Sequence, residues 1–217
     1  VYKRQHKGCY EYTTEFFGRE GHGSEPDSGV NAVEYAVRYI ARLLALSDEL
    51  KRRAPPASRF EPPHTTLQVG RIEGGSARNV IAGHCAVDWE MRPANPDDAD
   101  FIKAQLAACC AGELLPAMRA RAPEADIRTC VIGEVAGLEP VPHNEARDII
   151  AELTGSNSAG VVAFGTEAGL FQSLGMSAVV CGPGSIAQAH KPDEFIAEPQ
   201  LRACLDMLDG LRRKVQA

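Results

Sequence analysis

The sequence predicts an α+β sandwich of ferredoxin-like topology over residues 6–134, followed by an α/β segment over residues 135–217. Two observations carry this expectation. Between Cys9 and Ile132 the apolar periods run in the order strand, helix, strand, strand, helix, strand, which is the split β-α-β arrangement. Beyond Pro140 short apolar runs alternate with helical stretches, the pattern of strands crossed over by helices into a parallel sheet.

Val1 to Gln5 shows no periodicity and reads as a terminal artefact. Cys9 to Phe17 alternates, with Tyr10 and Tyr12 on one side and Glu11, Thr13 and Glu15 on the other, as a half-buried strand does. Gly18 to Gly29 is rich in Gly, Ser, Asp and Pro and reads as a loop. From there Val30, Val33, Val37, Ile40, Leu44 and Leu50 recur at helical spacing, so a long amphipathic helix is expected to end before Pro55-Pro56. A strand over Thr65–Ile72 and a Gly74-Gly75 turn follow. Arg78-Asn79 then opens a strand that Arg92 closes. Its alternation is clear: Cys85, Val87, Trp89 and Met91 share one face, and Asp88, Glu90 and Arg92 the other. A helix from Asp97 to Arg121, kinked at Pro116, precedes an edge strand over Asp126–Ile132. The second segment reads as helix Asn144–Leu153, buried strand Gly160–Phe164, helix Glu167–Leu174, buried strand Ala178–Cys181, a loop and a terminal helix.

The formal charge of −6 comes without any basic stripe, which argues against a nucleic-acid partner. Apolar runs such as Ala159–Phe164 are too short to span a membrane, and polar sequence after Gln5 argues against a signal peptide. No membrane partner is therefore expected. Seven cysteines, odd in number and irregular in spacing, include no C-x-x-C. They predict free thiols in a reducing cytoplasm rather than a disulfide framework or a cysteine-rich zinc site.

Four stretches hold residue types suited to chemistry. The run Gly182–Phe195 follows a buried strand, where ligands gather in open α/β sheets. Its His190 is either a solvated loop histidine or a metal ligand. Gly165-Thr166-Glu167 links a strand to a helix; its N–H groups and the Thr166 hydroxyl hold an anion, or Thr166 merely caps the helix. His22 stands between two glycines that allow close approach to a partner; it stabilises an oxyanion or belongs to a plain surface loop. Arg92 and Asn79 suit carboxylate binding by fork and amide, or Arg92 only pairs with Asp88 or Glu90. His6, His64, His84 and His143 lack metal-ligand spacing and are treated as structural or exposed.

In order, six stretches make the chain resemble the M20 metallopeptidase family, and within it the branch that deacetylates N-acetylornithine. They are His6-Lys7-Gly8, Gly21 to Pro26 with Gly29 to Ala32, Arg78 to Ile81, Met91-Arg92-Pro93, Gly165 to Ala168, and Gly182 to Phe195. The resemblance covers nearly everything after Gln5. It implies a homodimerisation lid over 6–134 and the C-terminal part of a zinc-hydrolase catalytic domain over 135–217. It further implies two zinc ions per active site, with cobalt as a possible substitute, a bridging water as nucleophile and a glutamate as general base. On this resemblance His190 is a metal ligand, and His22 stabilises the oxyanion in the partner subunit's active site. Arg92 and Asn79 bind the carboxylate of a small acylated amino acid with Gly165 and Thr166 nearby, and Glu167 faces the amine of ornithine. Succinyl-diaminopimelate desuccinylase, acylamino-acid hydrolase, and a dimerisation module without catalysis stand as alternatives. The family's His-x-Asp motif, bridging Asp and adjacent Glu pair have no counterpart here, so the chain is expected to be a fragment, inactive alone.

Overall fold

A computed structural model describes residues 2–156, 160–162, 164–189 and 191–216. The strands, in chain order, are β1 (Tyr2–His6), β2 (Cys9–Phe17), β3 (Gly21–His22), β4 (Thr66–Gly74), β5 (Val80–Ile81), β6 (His84–Arg92), β7 (Asp126–Val135), β8 (Gly160–Val162) and β9 (Val180–Cys181). The helices are α1 (Ala32–Arg52), α2 (Pro96–Cys109), α3 (Leu115–Arg119), α4 (Glu145–Thr154), α5 (Ala168–Ser173) and α6 (Glu198–Gln216). Lys7–Val135 form one unit; Val1–His6 with Ala136–Ala217 form the other.

In the unit of residues 7–135, four antiparallel strands stand in the order β4-β6-β2-β7. The predicted edge strand is therefore an edge, and β4 is the opposite one. The alternation read in β2 and β6 is the burial observed: Tyr12, Thr14 and Phe16 face inward from β2, and Cys85, Val87, Trp89 and Met91 from β6. Tyr12 stacks on its register partner Trp89 with ring centroids 4.4 Å apart. Buried Thr14 accepts from Trp89 Nε1 at 3.0 Å and donates to the Tyr39 hydroxyl at 3.2 Å, so its hydroxyl is satisfied without water.

Asn31 starts α1, its side chain accepting from the Val33 and Glu34 N–H groups. Asn31→Ala is expected to cost about 1 kcal/mol, read as a lower urea midpoint at unchanged slope; an unmoved midpoint would mean the cap contributes nothing. The core face of α1 is Ala32, Tyr35, Ala36, Tyr39, Leu43, Leu46 and Leu50. This corrects the expectation from sequence. Val37 and Leu44 are 54% and 61% exposed, and Val33 and Ile40 are only partly buried. Tyrosine and alanine, weak markers of an apolar stripe, line the true core. The aliphatic row Val33, Val37, Ile40, Leu44 lies roughly 110° round the helix from it, at 100° per residue.

Two further expectations change. The segment from Arg78 to Arg92 is not one strand: β5 pairs with β3, while β6 belongs to the four-stranded sheet. The break falls at Ala82-Gly83, where the Ala82 carbonyl accepts from Ala32 N–H and the Gly83 carbonyl from Gly18 N–H. A Cβ on Gly83 would stand 2.6 Å from the Glu20 side chain. The second long helix is interrupted by a π-helical turn, Cys110–Leu114, just before Pro116. Proline has no N–H to give the preceding turn, and the widened turn accommodates the gap. The run Asp97–Arg119, 23 residues long with an 18-residue window of mean hydropathy 1.2, has the length and apolarity of a membrane span, contrary to expectation. It buries Ile102, Leu106, Leu114 and Met118 in the core of its own unit, as a core helix does.

In the second unit the first residues are no artefact. β1 is the middle strand of the sheet β8-β1-β9, parallel to β8 and antiparallel to β9. The expected parallel sheet is thus a mixed one. Its small core is Ile150 and Met207 with Leu153, Val179, Cys181 and Cys204 packed around them. Asn144 caps α4, accepting from Arg147 N–H at 2.9 Å and donating to the Ala178 carbonyl at 2.9 Å. Gly155, at φ 63°, ends that helix in the left-handed conformation glycine adopts without strain.

Candidate functional site

β3 and β5 form a ribbon pairing Gly21 with Ile81 and His22 with Val80. Gly23 N–H donates to the Asn79 carbonyl at 2.7 Å, so Asn79 stands opposite Gly23, one position along the ribbon from the His22–Val80 pair. A Cβ on Gly23 would lie 3.0 Å from that carbonyl oxygen, which is why the loop needs glycine there. His22 is exposed. Ser24 N–H donates to its Nδ1 at 3.2 Å, and the Ser24 hydroxyl lies 2.7 Å from the same atom. A backbone N–H only donates, so Nδ1 accepts, and the proton of the neutral ring sits on Nε2. The ribbon therefore carries a hydrogen-bond donor on an exposed side chain. Sequence reasoning leaves out Ser24, although a serine two residues on is the spacing of a side-chain-to-backbone turn.

Arg92 is not brought to this ribbon. Gly18 N–H bonds the Gly83 carbonyl at the His84 end of β6, whereas Arg92 ends the strand, about 26 Å away at 3.3 Å per residue. Its fork closes on Glu90, Nε to Oε1 at 3.0 Å and Nη2 to Oε2 at 2.9 Å. The ion pair within the strand is formed. The Glu90 carboxylate pushes the Arg92 pKa up. Cys9, Glu11 and Glu90 place ligand atoms within 4.8 Å of one another, the one such group of three among the described residues. Burial, only partly opposed by Arg92, pushes the Cys9 thiol up.

Gly165, Thr166 and Glu167 link β8 to α5. The Thr166 hydroxyl oxygen accepts from Ala168 N–H at 3.2 Å, the capping option, and lies 2.9 Å from His6 Nε2. Glu167 is exposed. His6 is 1% exposed, and its backbone exchanges two 3.1 Å hydrogen bonds with Leu138. A histidine treated as structural thus positions a candidate site residue. Phe164, Gly182 to Ile186 and Glu194 to Ile196 line a cavity of 690 Å³. Gly184, at φ 93°, turns the chain there and donates its N–H to Gln200 Oε1 at 2.7 Å. His190 lies outside the described residues.

The chain thus joins an antiparallel α+β unit, with an exposed histidine on a two-stranded ribbon, to a mixed α/β unit. Residues 4–118 match the M20 peptidase dimerisation domain, and the chain belongs to that family. It is 37% identical over 206 residues to the acetylornithine deacetylase of Myxococcus xanthus, covering 93% of this chain and 51% of that protein. It is 34% identical over 193 residues to the acetylornithine deacetylase of Klebsiella pneumoniae (strain 342), covering 89% and 48%. The chain therefore spans about half the length of these curated relatives. A tripeptidase from Staphylococcus aureus superposes with a TM-score of 0.65 at 19% identity, over 97% of this chain and 52% of that one; this likeness is one of fold.

Proposed function

We propose that the chain is the homodimerisation lid and C-terminal catalytic segment of an amide hydrolase that releases acetate from N-acetylornithine. The substrate rests on the relatives named acetylornithine deacetylase. The observation that carries the chemistry is His22. Hydrolysis of an amide passes through a tetrahedral intermediate whose oxygen gains charge and needs a preorganised donor. His22, with Nδ1 bound by Ser24, offers Nε2–H from an exposed ribbon to the active site of a second copy.

On this proposal the unit of residues 7–135 is a ferredoxin-like lid, in keeping with its strand order β4-β6-β2-β7. Two copies join through α1 and β4. The row Val33, Val37, Ile40, Leu44 has the 4-3-4 spacing of a helix–helix seam, and β4 is an edge strand with open backbone groups. A two-fold pairing covers both. It also explains Asn79 and Arg92, which stand too far apart to grip one carboxylate within a chain but can meet from two chains. Gly165 and Thr166 sit near the carboxylate, and Glu167 faces the ornithine amine. A cytoplasmic setting belongs to the proposal and is supported by seven cysteines standing as thiols.

Zinc, or cobalt, serves the whole protein in this proposal. The described residues do not fit a two-zinc site: both Glu90 oxygens in the one three-ligand group are held by Arg92. The test is acetate release from N-acetylornithine by the full-length, metal-loaded protein, at least tenfold faster than succinate release from N-succinyl-diaminopimelate. No turnover of N-acetylornithine would overturn the proposal. Arg92→Lys, which loses the bidentate fork, is expected to raise KM roughly tenfold with kcat nearly unchanged, the scale of one charged hydrogen bond. An unchanged KM would leave Arg92 as Glu90's partner alone.

A further inference from the structure

A cleft of 230 Å³ opens between the start of α1, the β3–β5 ribbon and Arg121. Arg38, Arg78 and Arg121 line it, against one lining carboxylate, Glu34. Glu34 accepts from the Asn31 amide at 3.3 Å. Arg121 is engaged with the Pro26 carbonyl and with Asp27. Arg38 lies over the Tyr35 ring, 4.7 Å from its centroid, which orients the guanidinium, and its N–H groups have no hydrogen-bond partner among the described residues. Among the described residues neither Arg38 nor Arg78 has a carboxylate partner.

The second observation is Tyr35. It lines the cleft, is 6% exposed, and its hydroxyl makes no hydrogen bond to a described residue. A buried phenol left without a partner is costly. An oxygen seated in the cleft would satisfy it and meet two free guanidinium groups together. The amino end of α1, a helix of 21 residues, adds its positive dipole. The volume is below the roughly 300 Å³ at which pockets for larger organic ligands begin, which favours a small ion.

The geometry points to a binding site for a small, doubly charged oxyanion, either phosphate or a short dicarboxylate. Gly23 and Arg78 flank the His22–Asn79 ribbon and line the cleft, so a bound anion ties the ribbon to α1. Binding itself is independent of the proposed hydrolysis.

Isothermal titration of the 217-residue chain with inorganic phosphate, and separately with succinate, tests the site. Saturable one-site binding is expected with at least one of them. Saturation by phosphate alone assigns a tetrahedral ligand, and by succinate alone a carboxylate source. Arg78→Ala and Arg38→Ala should each weaken it about tenfold or more, and Tyr35→Phe several-fold. Arg59→Ala removes an exposed arginine outside the cleft and should leave affinity unchanged. The Gly23 amide resonance should shift along the same binding curve. Absence of saturation by either anion below roughly 10 mM, the weak limit of a specific contact, overturns the proposal. So does an Arg59→Ala loss as large as that of Arg78→Ala.

Discussion

On the proposed function, His22→Ala in the full-length protein is expected to lower kcat roughly 10²–10³-fold, the cost of removing one oxyanion donor, with metal content and dimerisation unchanged. The reason is local. His22 is exposed, its Nδ1 is bound only within its own loop by Ser24, and it supports no core packing. Removing the ring deletes a donor and leaves the ribbon pairing of Gly21 with Ile81 and Gly23 with Asn79 in place. Mixing this variant with an inactive His190→Ala variant provides the decisive readout. A mixed dimer joins one intact metal-binding half to the other copy's His22, so activity should partly return after subunit exchange. Exchange without recovery would end the claim that His22 acts across the interface.

The second large effect concerns assembly. Val37→Glu with Leu44→Glu is expected to convert the dimer to a monomer in sedimentation velocity. Two copies lose four apolar side chains from the seam, roughly 6–12 kcal/mol at 1.5–3 kcal/mol each, and gain facing charges. Both residues are exposed within one chain, so thermal unfolding of the monomer should change little. Activity should fall with the dimer, because His22 then has no second site to serve. A persisting dimer would remove α1 from the interface.

How far the sequence revealed this protein depended on where each residue's partners lie. β2 and β6 were legible because a half-buried antiparallel strand writes its inward face as strict alternation. Of the stripe read along α1, Val30 and Leu50 are buried, whereas Val37 and Leu44 are exposed and Val33 and Ile40 only partly buried; Tyr35, Ala36 and Tyr39 fill the rest of the core face, and hydropathy alone ranks them below valine and leucine. Pro116 marked the right place in the second helix, though the backbone answered with a π turn. Among candidate site residues, the glycine neighbours of His22 left a plain loop as the simpler reading and the resemblance supplied its role, whereas the Arg92–Glu90 pair needed coordinates. The His6–Thr166 contact joins positions 160 apart, and no local period records such a distance.

The same separation governs how the chain acquires its shape. Lys3 of β1 pairs with Gly160 of β8, so during synthesis at 5–20 residues per second the strand waits roughly 8–30 s for its neighbour. The unit of residues 7–135 needs no such wait, since all four strands of its sheet lie within it. Once it folds, the Cys9–Val135 pairing holds its two ends together, and the ring left to close shrinks from the whole intervening chain to a few tens of residues. Closure entropy grows with the logarithm of loop length, so the late β1–β8 zipper becomes cheaper and more local. Damage to the first unit would then surface as an unpaired β1 in the second, a template failing before its copy.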